Sequence, residues 1–252
     1  MSGSARNITT VVLAGGLGTR IRHLVPEVPK PMAVVAGRPF LEHVMRYLAS
    51  FGLSRVVLST GYLSEVIEAH FARALQSGAS LRVAREPEPL GTAGGFLHAA
   101  RTEPVAPKAW LVLNGDSLVF ADFARFIESF ELGRWDAAVM GLHVNDALRF
   151  GTLETGPNGD LKRFAEKRCG AGLINAGVYL FRHSLLADFP GRECLSFETE
   201  VFPSLLARRA RILVYAVDAP FLDIGTPESL AQADAFISKN FGALEGSVYP
   251  GS

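Results

Sequence analysis

The chain has 252 residues but only two cysteines, Cys169 and Cys194. A disulfide framework needs more cysteines than this, so their scarcity favours a reducing compartment. Acidic and basic residues are balanced at 25 each, which gives a formal net charge of zero. A neutral chain exerts no global attraction on nucleic acid or on an anionic membrane, so any anion must be bound by a local cluster of groups.

Long hydrophobic runs are also missing from the sequence. No uninterrupted apolar stretch approaches the ~18 residues that a membrane-spanning helix needs. The polar start of the chain, residues 1–7, lacks the basic flank and the apolar segment of a secretory signal. We therefore expect a cytoplasmic protein with neither a membrane nor a nucleic acid as its partner.

Apolar residues are nevertheless abundant, at 48% of the chain against 20% charged residues. This composition excludes intrinsic disorder, and the length suits one α/β domain. The apolar run at 11–14 predicts a buried strand, whereas apolar residues at three- and four-residue spacing across 40–48 predict a helix. This alternation continues to about residue 140, which predicts a Rossmann-like three-layer α/β core with a mainly parallel sheet.

The pattern changes after about residue 150. Residues 152–155 and 161–164 flank a Gly-Pro-Asn-Gly-Asp turn and predict two paired strands, and further strands are predicted at 173–181 and 211–217. Thr226 followed by proline and glutamate begins a C-terminal helix. A smaller β-rich part therefore follows the α/β core.

A glycine-rich motif, L-A-G-G-L-G-T-R at 13–20, follows the first predicted strand. Its glycines let backbone N–H groups approach an anion. The planar guanidinium group of Arg20 adds N–H donors in a fixed geometry that suits polyphosphate oxygens. The alternative is a tight glycine turn with a surface arginine. The motif is not a dinucleotide fingerprint, because Ile21 stands where glycine is required, and no Gly-Lys-Ser/Thr of a P-loop follows.

Two further polar motifs contain charged residues that are candidates for binding a ligand. P-K-P-M at 29–32 places Lys30 between prolines, which bias its backbone away from helix and hold the ammonium group in place. N-G-D at 114–116 ends another predicted strand, and the carboxyl edge of an open α/β sheet is where ligands bind. Taken alone, Lys30 would be a solvated lysine and Asp116 a turn or cap residue.

Together these motifs resemble the signature of the sugar-1-phosphate nucleotidylyltransferases. The resemblance continues in family order through 86–95, 149–152, 164–167, 173–177 and 221–227, and so covers nearly the whole chain. Such enzymes let a sugar-phosphate oxygen attack the α-phosphorus of a nucleoside triphosphate and release pyrophosphate. A phosphate monoester has a second pKa of about 6 and needs no strong general base, so catalysis should depend on positioning and charge neutralisation.

The resemblance implies roles for particular residues. Arg20, Lys30 and Asp116 would be catalytic: Arg20 would hold the β- and γ-phosphates, Lys30 would neutralise the α-phosphate, and Asp116 with Asp223 would bind Mg²⁺ as the cofactor. The nucleotide-binding residues that it implies are Leu13, Ala14, Gly15, Gly16, Gly18, Thr19, Arg20, Glu86, Gly91, Thr92 and Asn114. The residues that it implies for the sugar phosphate are Gly151, Glu166, Lys167 and Asn175.

The resemblance also implies one nucleotidylyltransferase domain over residues 1–252. Its nucleotide-binding half would span about 1–145, and its sugar-binding half with the C-terminal helix would span about 146–252. Within the family, the segments R-F-G-T, G-L-I-N-A-G and L-S-F-E-T-E resemble the branch that transfers a guanylyl group to D-glycero-α-D-manno-heptose 1-phosphate.

Glu86 bears on the choice of nucleotide, because many uridylyl- and thymidylyl-transferring relatives have glutamine at its position. A carboxylate only accepts hydrogen bonds, and guanine offers it two adjacent N–H donors. Uracil offers one N–H flanked by carbonyl oxygens, a mismatch that costs about 1–3 kcal/mol. The sequence therefore favours GTP and a sugar 1-phosphate as the substrates.

Two other functions stay open, together with the possibility of a homo-oligomer. One is uridylyl transfer to N-acetylmuramate 1-phosphate or to another sugar 1-phosphate. The other is a non-catalytic sensor of sugar nucleotides. The joint presence of Arg20, Lys30, Asp116 and Asp223 favours an enzyme, because a sensor would not need all four.

Overall fold

The structure, a computed structural model, describes residues 7–72, 80–148, 150–165 and 169–245. A nine-stranded sheet lies at its centre. The strands of this sheet are β1 (Ile8–Ala14), β4 (Val56–Thr60), β5 (Leu81–Arg85), β6 (Ala109–Asn114), β8 (Ala137–Val144), β9 (Thr152–Thr155), β10 (Leu161–Ala165), β11 (Gly172–Arg182) and β12 (Ile212–Val217). Two small ribbons are formed by β2 (Val34–Val35) with β3 (Arg38–Pro39), and by β7 (Ser117–Val119) with β13 (Phe221–Asp223).

Most strands of the large sheet run in one direction. β5, β4, β1 and β6 lie side by side and parallel. β11 is antiparallel to β6 and to β8, and β8 is parallel to β12, so β11 is the reversed strand of this row. β9 and β10 form an antiparallel pair that joins β11. The prediction of an α/β protein with a mainly parallel sheet is confirmed.

Helices cover both faces of the sheet. They are α1 (Phe40–Ser50), α2 (Ser64–His70), α3 (Gly91–Arg101), α4 (Phe123–Leu132), α5 (Phe202–Ala207), α6 (Pro227–Ala231) and α7 (Ala233–Glu245). Consecutive residues of a strand point to opposite faces, and Val11 and Val12 of β1 are both fully buried in two different apolar clusters. One cluster contains residues of α1, α4 and α7, and the other contains residues of α3 and α5, which gives the three predicted layers.

The C-terminal helix begins where the sequence predicts it. Thr226 accepts a hydrogen bond from the backbone of Ser229, and the Ser229 hydroxyl group accepts one from the backbone of Thr226, which forms a capping box. The sequence predicts one helix from this point, but the structure has two, because α6 ends at Ala231 and a separate helix, α7, follows. Among the described residues, no helix has the length and apolar composition needed to cross a membrane.

His43 of α1 is a buried titratable group on the α7 side of the sheet. Its ring lies 5.4 Å from that of Phe241. Its Nε2 donates a hydrogen bond of 2.8 Å to the carbonyl oxygen of Val35, and its Nδ1 is buried with no hydrogen-bond partner among the described residues. Burial lowers the pKa of His43, although the bond to Val35 opposes that shift.

We expect His43 to make the protein less stable in mild acid. Because its pKa is lower in the folded protein, the unfolded chain binds more protons as the pH falls below ~6.5. The stabilising contribution of neutral His43 is therefore complete above that pH and is lost as the pH falls through the folded pKa. The added Nδ1–H would be buried without an acceptor, at a cost of about 1–3 kcal/mol.

Urea unfolding at a series of pH values measures this effect. His43→Gln keeps a hydrogen-bond donor in reach of Val35 but removes the titrating group. We expect the free energy of unfolding of the variant to depend less on pH in this acid range than that of the natural chain. Equal pH dependence in the two proteins would contradict the assignment.

Candidate active site

The glycine-rich loop follows β1 at the carboxyl edge of the sheet. A Cβ atom at Gly15 would lie 2.6 Å from Oε1 of Glu86, so only glycine allows the two to approach. Gly18 has a φ of +58°, and a Cβ atom there would lie 2.9 Å from Cβ of Lys30. The loop therefore needs glycine at both positions to stay close to Glu86 and Lys30.

The loop forms the wall of a cavity of about 170 Å³. Basic and acidic groups converge there, because Arg20, Lys30 and Asp116 all line it. The candidate site residues that line this cavity are Leu13, Ala14, Gly16, Gly18, Thr19, Arg20, Lys30 and Asp116. The structure thus brings most of the predicted phosphate-binding residues to one place.

Two neighbouring cavities share lining residues with the first. One, of about 300 Å³, also includes the candidate residues Gly15, Glu86, Gly91, Thr92 and Asn114. The other, of about 190 Å³, also includes Asn114, Asn175, Gly177 and Asp223. Asp116 lines all three cavities. We call the three together the cleft.

Lys30 is at the centre of the charge cluster. Its side chain is only 9% exposed, and Nζ lies 2.5 Å from Oδ2 of Asp116 and 3.9 Å from Oδ1 of Asp223. The prediction that flanking prolines keep Lys30 out of helix is wrong, because Lys30 begins a 3₁₀ helix that ends at Met32. Proline is tolerated in such a first turn, where its missing N–H is not needed.

The two carboxylates reach the same lysine through the ribbon of β7 and β13. Asp223 pairs with Ser117, the residue after Asp116, and the backbone N–H of Ile224 donates to the carbonyl oxygen of Asp116 at 3.0 Å. Gly225 donates its N–H to Oδ1 of Asp223 at 2.7 Å. This ribbon brings together two acids that are far apart in the sequence.

The electrostatic environment of Asp223 opposes its ionisation. Burial raises the pKa of Asp223 above its ordinary value, and the nearby charge of Asp116 raises it further. Lys30, the N–H of Gly225 and Arg20 oppose the shift. A cation bound beside Asp223 would oppose this shift and favour the ionised carboxylate.

Glu86 is held by its own neighbours. Oε1 accepts a hydrogen bond of 2.8 Å from the hydroxyl group of Ser59, and Oε2 accepts one of 3.2 Å from the backbone N–H of Leu90. Each carboxylate oxygen keeps a further lone pair, so the group can still accept hydrogen bonds from a ligand. The supporting role of Ser59 was not predicted, because a serine within an apolar strand carries no signal of its own.

Asn175 lies in β11, which is separated by β6 from the strand that leads into the glycine-rich loop. Its backbone N–H donates to the carbonyl oxygen of Gly151 at 3.1 Å, so these two candidate sugar-phosphate residues are adjacent. Gly177 has a φ of +71°, and a Cβ atom there would collide with the side chain of Asn114. Glu166 and Lys167, the other two candidates for the sugar phosphate, lie outside the described residues.

The fold and the cleft define a class of protein. A glycine-rich loop, two cations and a pair of carboxylates meet at the carboxyl edge of an α/β sheet, an arrangement suited to a polyphosphate with a divalent cation. The chain belongs to the nucleotidyl transferase family, whose model matches residues 9–240. The family resemblance seen in the sequence is therefore confirmed.

The chain is similar to several curated guanylyltransferases. It is 36% identical over 236 residues to a mannose-1-phosphate guanylyltransferase of Mycobacterium tuberculosis, a match that covers 92% of this chain and 65% of that protein, just under two thirds of its length. It is 33% identical over 219 residues to a D-glycero-α-D-manno-heptose 1-phosphate guanylyltransferase of Campylobacter jejuni, a match that covers 86% of this chain and 95% of that protein.

A solved structure shares the fold. HddC from Yersinia pseudotuberculosis, crystallised in complex with GMP-PN, has a TM-score of 0.78 and 32% sequence identity. The match covers 90% of this chain and 98% of that chain.

Proposed function

We propose that this chain transfers a guanylyl group from GTP to a sugar 1-phosphate and releases pyrophosphate. The observation that carries the proposal is the convergence of Arg20, Lys30, Asp116 and Asp223 beside the glycine-rich loop. This cluster suits a reaction that must bring two polyanions together. Relatives named as guanylyltransferases support GTP as the nucleotide.

We propose D-glycero-α-D-manno-heptose 1-phosphate as the acceptor. Two relatives named for this substrate match the chain along 95% of their own lengths. Mannose 1-phosphate is the second candidate, because the mycobacterial relative at 36% identity is named for it. That relative is favoured less, since 35% of its length lies outside the match.

In the proposed reaction, the glycine-rich loop and Arg20 hold the β- and γ-phosphates of GTP. Lys30 neutralises charge at the α-phosphate. The acceptor enters from the side of the cleft lined by Asn175, and its phosphate oxygen forms a bond to the α-phosphorus as the bond to pyrophosphate breaks. The acceptor is already ionised at neutral pH, so these residues position the reactants and neutralise charge without removing a proton.

Asp116 and Asp223 fit a magnesium ion. Mg²⁺ uses oxygen ligands and commonly takes one or two carboxylates, with the remaining ligands from substrate phosphates and water. The described residues contain no group of three or more His, Cys, Asp or Glu side chains that could hold a metal ion. When bound, the ion would neutralise phosphate charge that Lys30 and Arg20 leave uncompensated.

A panel of substrates tests the proposal. Purified protein with Mg²⁺ is given GTP, UTP, ATP or dTTP together with heptose, mannose or N-acetylmuramate 1-phosphate, and both pyrophosphate and product mass are measured. We expect the highest kcat/KM with GTP and the heptose 1-phosphate. A preference for UTP with N-acetylmuramate 1-phosphate would support that alternative, and tight binding of a GDP-sugar without turnover would support a sensor.

We expect Glu86→Gln to weaken the discrimination between GTP and UTP. A glutamine side chain presents an N–H group where guanine needs an acceptor, and it can donate to a uracil carbonyl group. The ratio of kcat/KM for GTP to that for UTP should fall about tenfold to a hundredfold, as for a mismatch of 1–3 kcal/mol. An unchanged ratio in a variant with a normal melting temperature would remove Glu86 from base recognition.

A further inference from the structure

A polar network lies behind Asn175, on the side of the acceptor. Nδ2 of Asn175 donates to the hydroxyl oxygen of Tyr179 at 2.7 Å and to Oε1 of Glu198 at 3.2 Å. Oδ1 of Asn175 accepts from the backbone N–H of Gly177 at 3.0 Å. The amide nitrogen therefore donates to both groups, and Oδ1 keeps one lone pair for a ligand.

Glu198 holds this network together. Its Oε1 also accepts a hydrogen bond of 2.8 Å from the hydroxyl group of Tyr179, and its Oε2 accepts one of 3.1 Å from the hydroxyl group of Ser196. Tyr179 is only 1% exposed, and burial together with the charge of Glu198 raises its pKa well above the usual value. Tyr179 therefore stays protonated and donates to Glu198, which leaves its oxygen to accept from Asn175.

The orientation of the Asn175 amide follows from these partners. A flipped amide would turn Oδ1 towards the carboxylate of Glu198 and Nδ2 towards the N–H of Gly177, and both contacts would be repulsive. The same sequence segment contains the irregular pairing of β11 with β8 between Asn175 and Tyr179. This bulge lets two side chains that are four residues apart meet one carboxylate.

Glu198 is anchored on the nucleotide side as well. It lies in a π-helix, Phe197–Val201, whose first N–H donates to Oγ1 of Thr92 at 3.1 Å. Leu195, just before the π-helix, contacts the start of α3. Its carbonyl oxygen accepts a hydrogen bond from the N–H of Ala93 at 2.9 Å, and its N–H donates to the carbonyl oxygen of Leu90 at 2.8 Å. π-Helices are rare and frequently occur at functional sites. The segment thus joins the N-terminus of α3 to the wall that contains Asn175.

We propose that Glu198 is a positioning residue for the acceptor, fixing the Asn175 amide so that its oxygen accepts a hydrogen bond from a sugar hydroxyl group. Tyr179 supports the same orientation. The proposal rests on the proposed function of the cleft and assigns to it a recognition element that acts through Asn175. It concerns binding of the sugar and leaves the phosphate chemistry at Lys30 and Asp116 unchanged.

Glu198→Gln and Tyr179→Phe test the proposal, with Glu200→Gln as the matched control. Glu200 lies in the same π-helix, and its carboxylate contacts the N–H of Ser196 at 2.9 Å and Arg192 at 3.3 Å. The control therefore removes one negative charge from the same segment, as Glu198→Gln does, and leaves the contacts of Asn175 and Tyr179 in place. If the segment only stabilised the fold, all three variants would have the same KM for the sugar 1-phosphate.

Steady-state kinetics provide the first readout. We expect KM for the sugar 1-phosphate to rise about tenfold in Glu198→Gln and by a smaller factor in Tyr179→Phe, with kcat and KM for GTP changed less than about twofold. The control should keep the natural KM for the sugar 1-phosphate. Equal values of this KM in Glu198→Gln and Glu200→Gln would overturn the proposal, as would a parallel rise of both KM values.

Calorimetry without turnover separates this proposal from the proposed function. Heptose 1-phosphate and mannose 1-phosphate are titrated into protein saturated with a non-hydrolysable GTP analogue. We expect about tenfold weaker binding in Glu198→Gln than in the control. If the natural chain binds the sugar phosphate but forms no GDP-sugar, the proposed function is wrong. The difference in affinity between Glu198→Gln and the control then still tests the positioning role of Glu198. A natural chain that binds neither sugar phosphate would overturn both.

Discussion

Replacing Lys30 with methionine is expected to lower kcat by about 10²–10³-fold while the protein stays folded. Lys30 is the cation closest to both carboxylates, with Nζ 2.5 Å from Asp116 and 3.9 Å from Asp223. A methionine keeps an apolar stem beside Gly18 and removes only the charge. The α-phosphate then lacks the group that we expect to neutralise it as the acceptor approaches, so the loss should fall mainly on kcat.

Lys108→Met is the matched control for this experiment. Lys108 is exposed and precedes β6 at the opposite edge of the sheet from the cleft, so the same change of charge is made far from the phosphates. Both variants should retain the circular dichroism spectrum of the natural chain. If Lys30→Met kept a kcat close to that of Lys108→Met, Lys30 would have no part in the chemistry.

Asp223→Asn is expected to raise the Mg²⁺ concentration needed for half-maximal activity by about 10–100-fold and to lower kcat/KM. Asparagine has the shape of aspartate, and its Oδ1 can still accept the 2.7 Å hydrogen bond from the N–H of Gly225. The substitution therefore removes charge from the carboxylate pair while it keeps the turn after β13. High Mg²⁺ concentrations should restore part of the activity.

The control for Asp223 is Asp218→Asn, in the loop before β13. Asp218 is exposed and lies 3.1 Å from Nδ1 of His143, outside the cleft. Activity is measured as a function of Mg²⁺ concentration for both variants and the natural chain. Identical Mg²⁺ dependence in Asp223→Asn and the natural chain would exclude Asp223 from the metal site.

The central sheet could be predicted because its strands have a local signal. The apolar run at 11–14 precedes the periodic helix at 40–48, and the run at 110–113 lies between two helices. Parallel strands joined by helices place their carboxyl ends at one edge of the sheet. That rule was enough to predict that the glycine-rich loop and Asp116 lie at the same edge of the sheet. The family resemblance then assigned roles that the pattern of residues alone left open.

Other parts of the site depend on contacts that leave no local signal. The ribbon that joins Asp223 to Asp116 consists of strands of three residues each, too short to show a period. Glu198 lies in an irregular helix that has no sequence period of its own. Its partner Tyr179 lies in a buried strand, where the sequence pattern does not distinguish it from the apolar residues around it. The roles of Glu166 and Lys167 remain predictions from the family resemblance, because both lie outside the described residues.

A crystal structure with a non-hydrolysable GTP analogue and Mn²⁺ would show where the triphosphate and the metal ion bind. In the proposed reaction, fixed cations and a carboxylate-bound metal together offset the repulsion between two polyanions. We expect the triphosphate along the loop at 15–20, in contact with Arg20, and anomalous density for Mn²⁺ between Asp116 and Asp223. A triphosphate bound away from Arg20, with the metal ion in contact with neither carboxylate, would contradict it.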